Sequence, residues 1–275
     1  MLYTQYVVSF DLLGVNMKVV FDMETQDPDD FLTLLLLLGH RDVDLQAVTI
    51  TPGSEHQVGL VRWALSKFEA QIPVGAFDIN HPKECVSQWH YNAYGKIKPS
   101  KEAESGAEVL LQCCDEETTL VTGAPLKNLG AALEYEEFTL GRWVAQGGFA
   151  GEGVVPRGKQ LPKFAGRRTC PTFNFNGAPK AAQKALYSPA IAKKLFVSKN
   201  VCHGVIYDEK FHSLVNGLRQ DSLSLNLIWK GMETFLRKKG KTDNQGKALH
   251  DPLAACCAID EGIGAWAEVC LYYEK

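Results

Sequence analysis

Residues 21–40 read FDMETQDPDDFLTLLLLLGH, and the fold follows from how this stretch is parsed. Asp22, Glu24, Asp27, Asp29 and Asp30 crowd five negative charges into nine positions and then run straight into leucines. On the N-terminal side, VNMKVVFDME is a short apolar run of strand length whose last residues are the first acids. On the C-terminal side, DDFLTLLLLLGH is long enough for a helix, with Asp29 and Asp30 near its start and Gly39 as its stop. The pattern recurs along the chain. DLQAVTITPGS, TTLVTGAPLKN, RWVAQGGFAG and KKLFVSKNVCHG each read as a buried strand ending in polar or glycine-rich residues. HQVGLVRWALSKFEA (56–70) carries apolar residues at helical spacing between the first two of these. Strands alternating with helices predict an α/β fold with a doubly wound, mostly parallel sheet and right-handed crossovers. Ligands bind such sheets at the carboxyl ends of the strands, so the polar clusters are expected on one face.

At 275 residues and 45% hydrophobic content the chain can bury a large core. No internal repeat or low-complexity linker divides it. Residues 17–275 are therefore expected to form a single domain, with residues 1–16 an extension ahead of MKVVFDME. Net charge is −3, and no basic run exceeds RKKGK at 237–241, read as a solvated loop, so a nucleic-acid partner is not expected. The first sixteen residues lack a basic leader, a cleavage pattern and an apolar run able to span a bilayer. Neither a membrane nor a secreted location is expected. Eight cysteines include two adjacent pairs and no CxxC, which argues against a zinc ribbon or a thioredoxin-like motif and for reduced thiols in the cytoplasm.

Carboxylates gathered this closely repel one another unless a cation neutralises them or they spread into solvent. A hard divalent ion, Ca²⁺ or Mg²⁺, takes carboxylate and carbonyl oxygens. An acidic N-terminal helical turn would favour Asp29 and Asp30 without any ion, through the helix dipole and its free N–H groups. ALHDPLAACCAID (248–260) offers a second candidate: His250 and Asp251 precede an apolar helix, with Asp251 readable as its N-cap and Pro252 in its first turn. TLVTGAPLKNLGAAL (119–133) is a third, a strand ending in Thr-Gly whose freed carbonyls can face a ligand.

Taken in order, these stretches resemble the inosine–uridine-preferring nucleoside hydrolase family. Asp22, Glu24, Asp29 and Asp30 occupy the four acidic positions of its DxDPGxDD signature once one residue is inserted. VTITPGS is similar to its AGN-like turn, LVTGAPLKNLGAAL to its GPLTN motif, QGGFAG to its MGG segment, PTFNFNGAPKAA to its EFN…DPEAA segment and HDPLAA to its HD motif. The resemblance implies a single-domain sheet of nucleoside hydrolase type, Rossmann-like, and a Ca²⁺-dependent N-ribohydrolase, with Mg²⁺ the alternative ion. It implies a small nucleoside-like substrate and a homo-oligomer. Carried onto this chain, the metal ligands are Glu24, Asp30, the Thr122 carbonyl and Asp251. Asp29 holds a ribose hydroxyl, Asn174 bonds the sugar, His250 lies near the leaving base and Asp22 supports the site. The implied chemistry is attack of a metal-bound water on an oxocarbenium-like sugar, with Glu24 taking the proton.

The chain departs from the family in several places. The central aspartate is Glu24, followed by Thr25-Gln26 and an extra residue within Asp27-Pro28, so Asp27 competes with Glu24 for the central role. The AGN asparagine is Ser54, and the EFN glutamate is Thr172, a change at the ribose 5′ side. CVSQWHYNAYGKI (85–97) falls where the family carries a His-containing loop over the base; Trp89, His90 and Tyr91 either stack there or pack on the core. SKNVCHG places Asn200 and His203 at another strand end, with a buried structural histidine as the simpler reading. Two rivals stand beside hydrolysis: a catalytically inactive nucleoside-binding relative, and a Mg²⁺-dependent phosphohydrolase suggested by Asp-x-Glu-Thr.

Overall fold

The structure, a computed structural model, describes residues 16–151, 153–239 and 246–273. Residues 1–15 of the expected extension and the end of the RKKGK run lie outside the described residues. The chain opens with β1 (Met17–Met23), α1 (Pro28–Gly39), β2 (Val43–Ile50), α2 (Glu55–Lys67), β3 (Val74–Ala76), α3 (Gln88–Tyr94), β4 (Glu104–Ser105) and α4 (Gly106–Cys113). It continues through β5 (Thr119–Thr122), α5 (Lys127–Ala132), β6 (Leu140–Gln146), α6 (Phe173–Gly177), α7 (Pro179–Tyr187), β7 (Ile191–Val197) and α8 (Lys199–Cys202). The last part holds β8 (Ile206–Tyr207), α9 (Glu209–Leu218), α10 (Leu223–Lys239), β9 (Lys247–Ala248) and α11 (His250–Ile259).

Seven parallel strands form one sheet in the order β4-β3-β2-β1-β5-β6-β7, and β8 pairs with β9 in a small antiparallel ribbon. The five strands expected from sequence are β1, β2, β5, β6 and β7. β3 and β4 are too short to carry a periodic signal. Strand side chains alternate between two cores, as a sheet covered on both faces requires. Phe21, Val121 and Val144 face one core with α1, α2 and α11, whereas Val20, Leu120 and Trp143 face the other with α4, α5 and α7. The chain winds outward from β1 to β4 and then returns to β5 on the other side of β1. That reversal creates a crevice beyond the carboxyl ends of β1 and β5.

Two local expectations meet different outcomes. Gly39 is the last residue of α1, where the sequence places the stop, and His40 is the C-cap in extended backbone. A Cβ at Gly39 would lie 2.3 Å from the Ser224 Cβ, so this glycine lets α1 and α10 approach closely, and Ser224 Oγ then donates to the Leu35 carbonyl at 2.6 Å. Asp251 is not the N-cap of α11. Leu249 takes that position, and Asp251 lies in the first turn with its side chain directed inward.

Trp143 anchors the second core. It is fully buried, sits edge-to-face against Phe196 at 5.2 Å and donates from Nε1 to Thr122 Oγ1 at 2.9 Å. Trp143→Ala should lower unfolding free energy in urea by about 3–5 kcal/mol, through lost burial and the cavity left behind. A loss below about 1 kcal/mol would show that this core is not tightly packed.

Candidate active site

The floor of the crevice is the end of β1. Asp22 lies opposite Thr49 on β2 and Thr122 on β5 and is fully buried. Its Oδ1 accepts from Thr49 Oγ1 at 2.7 Å and from Asn128 Nδ2 at 2.8 Å, while Oδ2 has no partner among the described residues. Burial pushes its pKa up to about 7, against the two hydrogen bonds. Asp22 thus ties the end of β1 to β2 and to α5 from below.

Above it, α1 and α11 present their first turns to each other. Asp29 and Asp30 come from α1 and Asp251 from α11; all three are buried, and one carboxylate oxygen from each lies within 4.8 Å of the other two. Asp29 Oδ2 accepts from the backbone N–H groups of His250 at 2.9 Å and Asp251 at 3.4 Å, so α1 supplies the N-terminal cap that α11 lacks locally. Burial, and then the neighbouring carboxylates, hold Asp30 and Asp251 well above the usual carboxylate range. A Cβ on Gly123 would stand 2.8 Å from Asp251 Oδ1 and from Asp30 Oδ1. The Thr122–Gly123 backbone therefore packs directly against both carboxylates, and the glycine is required by space.

Glu24 takes a different course. Its Oε2 accepts from the Thr25 and Gln26 amides at 2.9 and 2.6 Å, and its Oε1 from the Asp27 amide at 3.2 Å. The extra methylene and the Thr-Gln replacement let this side chain fold back over its own turn. Its amide donates to Asp30 Oδ1 at 3.0 Å, so Glu24 orients Asp30 through the backbone. Burial raises its pKa to about 7, although the three amides oppose that shift. Asp27 turns the other way: its Oδ1 meets Lys247 Nζ at 2.9 Å, and the same ammonium lies 3.2 Å from Asp29 Oδ1.

The remaining sequence candidates have partners of their own. His250 Nδ1 lies 3.2 Å from Cys202 Sγ, and its ring contacts that of His203 at 4.6 Å. Burial lowers the pKa of both histidines to about 4, so both are neutral at pH 7. Asn174 donates from Nδ2 to the Gln146 carbonyl and to Gln146 Oε1. Asn200 exchanges two hydrogen bonds of 2.8 Å with the Ala150 backbone, which fastens the glycine-rich segment after β6. Ser54 is the N-cap of α2 in a capping box with Gln57, and its Oγ donates to the Glu84 carbonyl. Trp89 and His90 lie in α3, inside the core. Trp89 Nε1 donates to the Gly231 carbonyl, and His90, with a pKa lowered to about 4 by burial, packs against Phe31.

The donor set suits a hard divalent cation. Oxygen ligands from three buried carboxylates converge, Asp251 Oδ1 has no hydrogen-bond partner among the described residues, and Gly123 leaves room beside it. Three carboxylates at this spacing, taken out of water, are strongly unfavourable as a set without cationic charge between them.

A family model described as inosine-uridine preferring nucleoside hydrolase matches residues 19–272. The chain belongs to that family. Over 265 residues it is 29% identical to an uncharacterised protein of Aquifex aeolicus (strain VF5), covering 94% of this chain and 87% of that protein. Among solved structures it superposes on a plant nucleoside hydrolase with a TM-score of 0.70 at 20% identity, covering 92% of this chain and 81% of the other. A purine-preferring ribonucleoside hydrolase from Gardnerella vaginalis gives 0.62 at 19% identity, with 89% and 80% covered. An inosine-uridine preferring nucleoside hydrolase from Bacillus anthracis gives 0.61 at 18%, with 89% and 82% covered. At these identities the likeness of the three structures is one of fold. Among the described residues no helix is long and apolar enough to cross a membrane, and all eight cysteines are free thiols.

In this nucleoside hydrolase family member, sequence reasoning passed over Lys247 and the bracing role of Asn128. Asn128 follows the Gly-Ala-Pro-Leu turn, where its type was a signal. Lys247 stands three residues before His250 and carried none. Gly123→Ala should abolish the rise in thermal midpoint on adding Ca²⁺ to chelator-treated protein, while the overpacked first turns cost about 1–3 kcal/mol of metal-free stability. An undiminished Ca²⁺ response in this variant would show that the ion binds elsewhere.

Proposed function

We propose that this protein hydrolyses the N-glycosidic bond of a nucleoside or a related ribosylated small molecule. The observation that carries the reading is the convergence of Asp29, Asp30 and Asp251 over Gly123, in the crevice where the chain reverses between β1 and β5, within a nucleoside hydrolase family member. Asp30, Asp251 and the Thr122 carbonyl would hold a divalent ion, with Ca²⁺ favoured over Mg²⁺ because the site offers irregularly placed carboxylates rather than an octahedral cage. Such an ion supplies Lewis acidity that makes a water nucleophilic near pH 7.

The residues of the chain do the rest. The carboxylates place negative charge where the sugar becomes oxocarbenium-like, so they stabilise the transition state more than the ground state. Asp29 and Asn174 hold ribose hydroxyls, and His250 stands on the side of the leaving base. Glu24 accepts the proton of the attacking water once its carboxylate turns away from the amides of Thr25, Gln26 and Asp27. A homo-oligomer and a cytoplasmic location complete the reading by likeness to the family.

Free ribose released from a panel of purine and pyrimidine ribonucleosides tests the reaction. Asp30→Asn should abolish both the release and the Ca²⁺-dependent thermal shift. Nucleoside binding without ribose release would support the inactive relative, which the folded-back Glu24 favours. Phosphate released from nucleotides without free base would support the phosphohydrolase instead.

Glu24→Gln separates two roles. The amide keeps an acceptor oxygen for the turn but takes no proton, so kcat should fall by on the order of 10²-fold with Ca²⁺ binding retained. An unchanged kcat would make Glu24 a loop-fastening residue.

A further inference from the structure

The acidic cluster already contains a cation of its own. Lys247 is buried, with its side chain 8% exposed, and its ammonium reaches Asp27 Oδ1, Asp29 Oδ1 and the Ala248 carbonyl, the last at 2.7 Å. Its backbone is fixed by the β8–β9 ribbon, where Lys247 pairs with Tyr207. Gly246 makes that crossing close, since a Cβ there would lie 1.9 Å from the Tyr207 carbonyl oxygen. Ordering and burying a lysine is costly unless its charge is matched, and here the match is two carboxylates.

The contacts divide the cluster in two. Each oxygen of Asp29 already has a partner within the chain, Lys247 on Oδ1 and the first N–H groups of α11 on Oδ2. Lys247 makes no ion pair with Asp30 or Asp251, and Asp251 Oδ1 has no hydrogen-bond partner among the described residues. We infer that Lys247 is a tethered counter-ion that shares the acidic cluster with the divalent ion, holding Asp27 and Asp29 in place before the ion arrives and weakening its binding at Asp30 and Asp251. It is a positioning residue for Asp29. The ammonium is held between Asp27 and Asp29, so these carboxylates keep their places without metal, and its positive charge opposes a second cation bound beside them.

This inference rests on the metal reading proposed above, yet its measurements involve no turnover. Lys247→Met keeps most of the length of the side chain and removes the charge; Lys247→Arg keeps the charge. In chelator, Lys247→Met should melt about 5 °C or more below the native protein, as expected for breaking a buried pair. Calorimetric titration with Ca²⁺ should show about tenfold tighter binding to Lys247→Met, and saturating Ca²⁺ should close most of the gap in midpoint. Lys247→Arg should follow the native protein in both measurements. A Lys247→Met variant that melts like the native protein in chelator, or that binds Ca²⁺ no more tightly, would overturn the inference. Absence of Ca²⁺ binding to the native protein would sink the shared-site inference together with the metal reading. Absence of ribose release alone would sink the hydrolase reading and leave Lys247 untouched.

Discussion

The site depends on one contact across the length of the chain, the Asp29 carboxylate capping the N-terminus of α11. Asp29 lies in the first turn of α1, and the N–H groups it accepts from belong to His250 and Asp251 near the C-terminal end of the fold. A helix N-terminus without a local side-chain cap needs an acceptor from elsewhere, and a carboxylate is the strongest one available. The cap brings Asp251 beside Asp30, and the sheet below sets the height at which they meet. Gly123 and Asn128 follow from that geometry, the first by yielding space and the second by bracing Asp22.

Such an arrangement is poor for stability and suited to function. Three buried carboxylates each bring one oxygen within 4.8 Å of the other two in a low-dielectric crevice, and the chain compensates them only in part. Backbone amides take Glu24, an ammonium takes Asp27 and shares Asp29, and one oxygen of Asp251 is left over. Charge concentrated in this way, against local cost, is how proteins prepare a site that can hold a cation.

Much of the fold was legible because its signals are local. Apolar runs ending in polar or glycine-rich residues marked β1, β2, β5, β6 and β7, and the leucines of α1 marked a buried crossover. β3 and β4 escaped, since two or three residues cannot display a period. Gly39 ends α1 as expected, but a glycine at a helix end has two uses, a left-handed cap and a close approach, and only the position of Ser224 shows that the second applies. Asp251 was misread as a cap because aspartate before proline favours that role locally, whereas the real acceptor comes from α1. Trp89 and His90 had two equal readings, and α3 packing against α10 through the Gly231 carbonyl gave the interior one.

The sequence by itself determined the alternation of strand and helix, the placement of acidic residues at the end of β1 and the start of α11, and the family. Those properties reside in residue order, periodicity and short motifs. The tertiary structure decided which carboxylates face one another, that Glu24 turns back onto its own loop, and that Lys247 enters the cluster. The reason is physical: a carboxylate points toward whichever N–H or ammonium competes best for it, and several of those competitors lie some two hundred residues away along the chain.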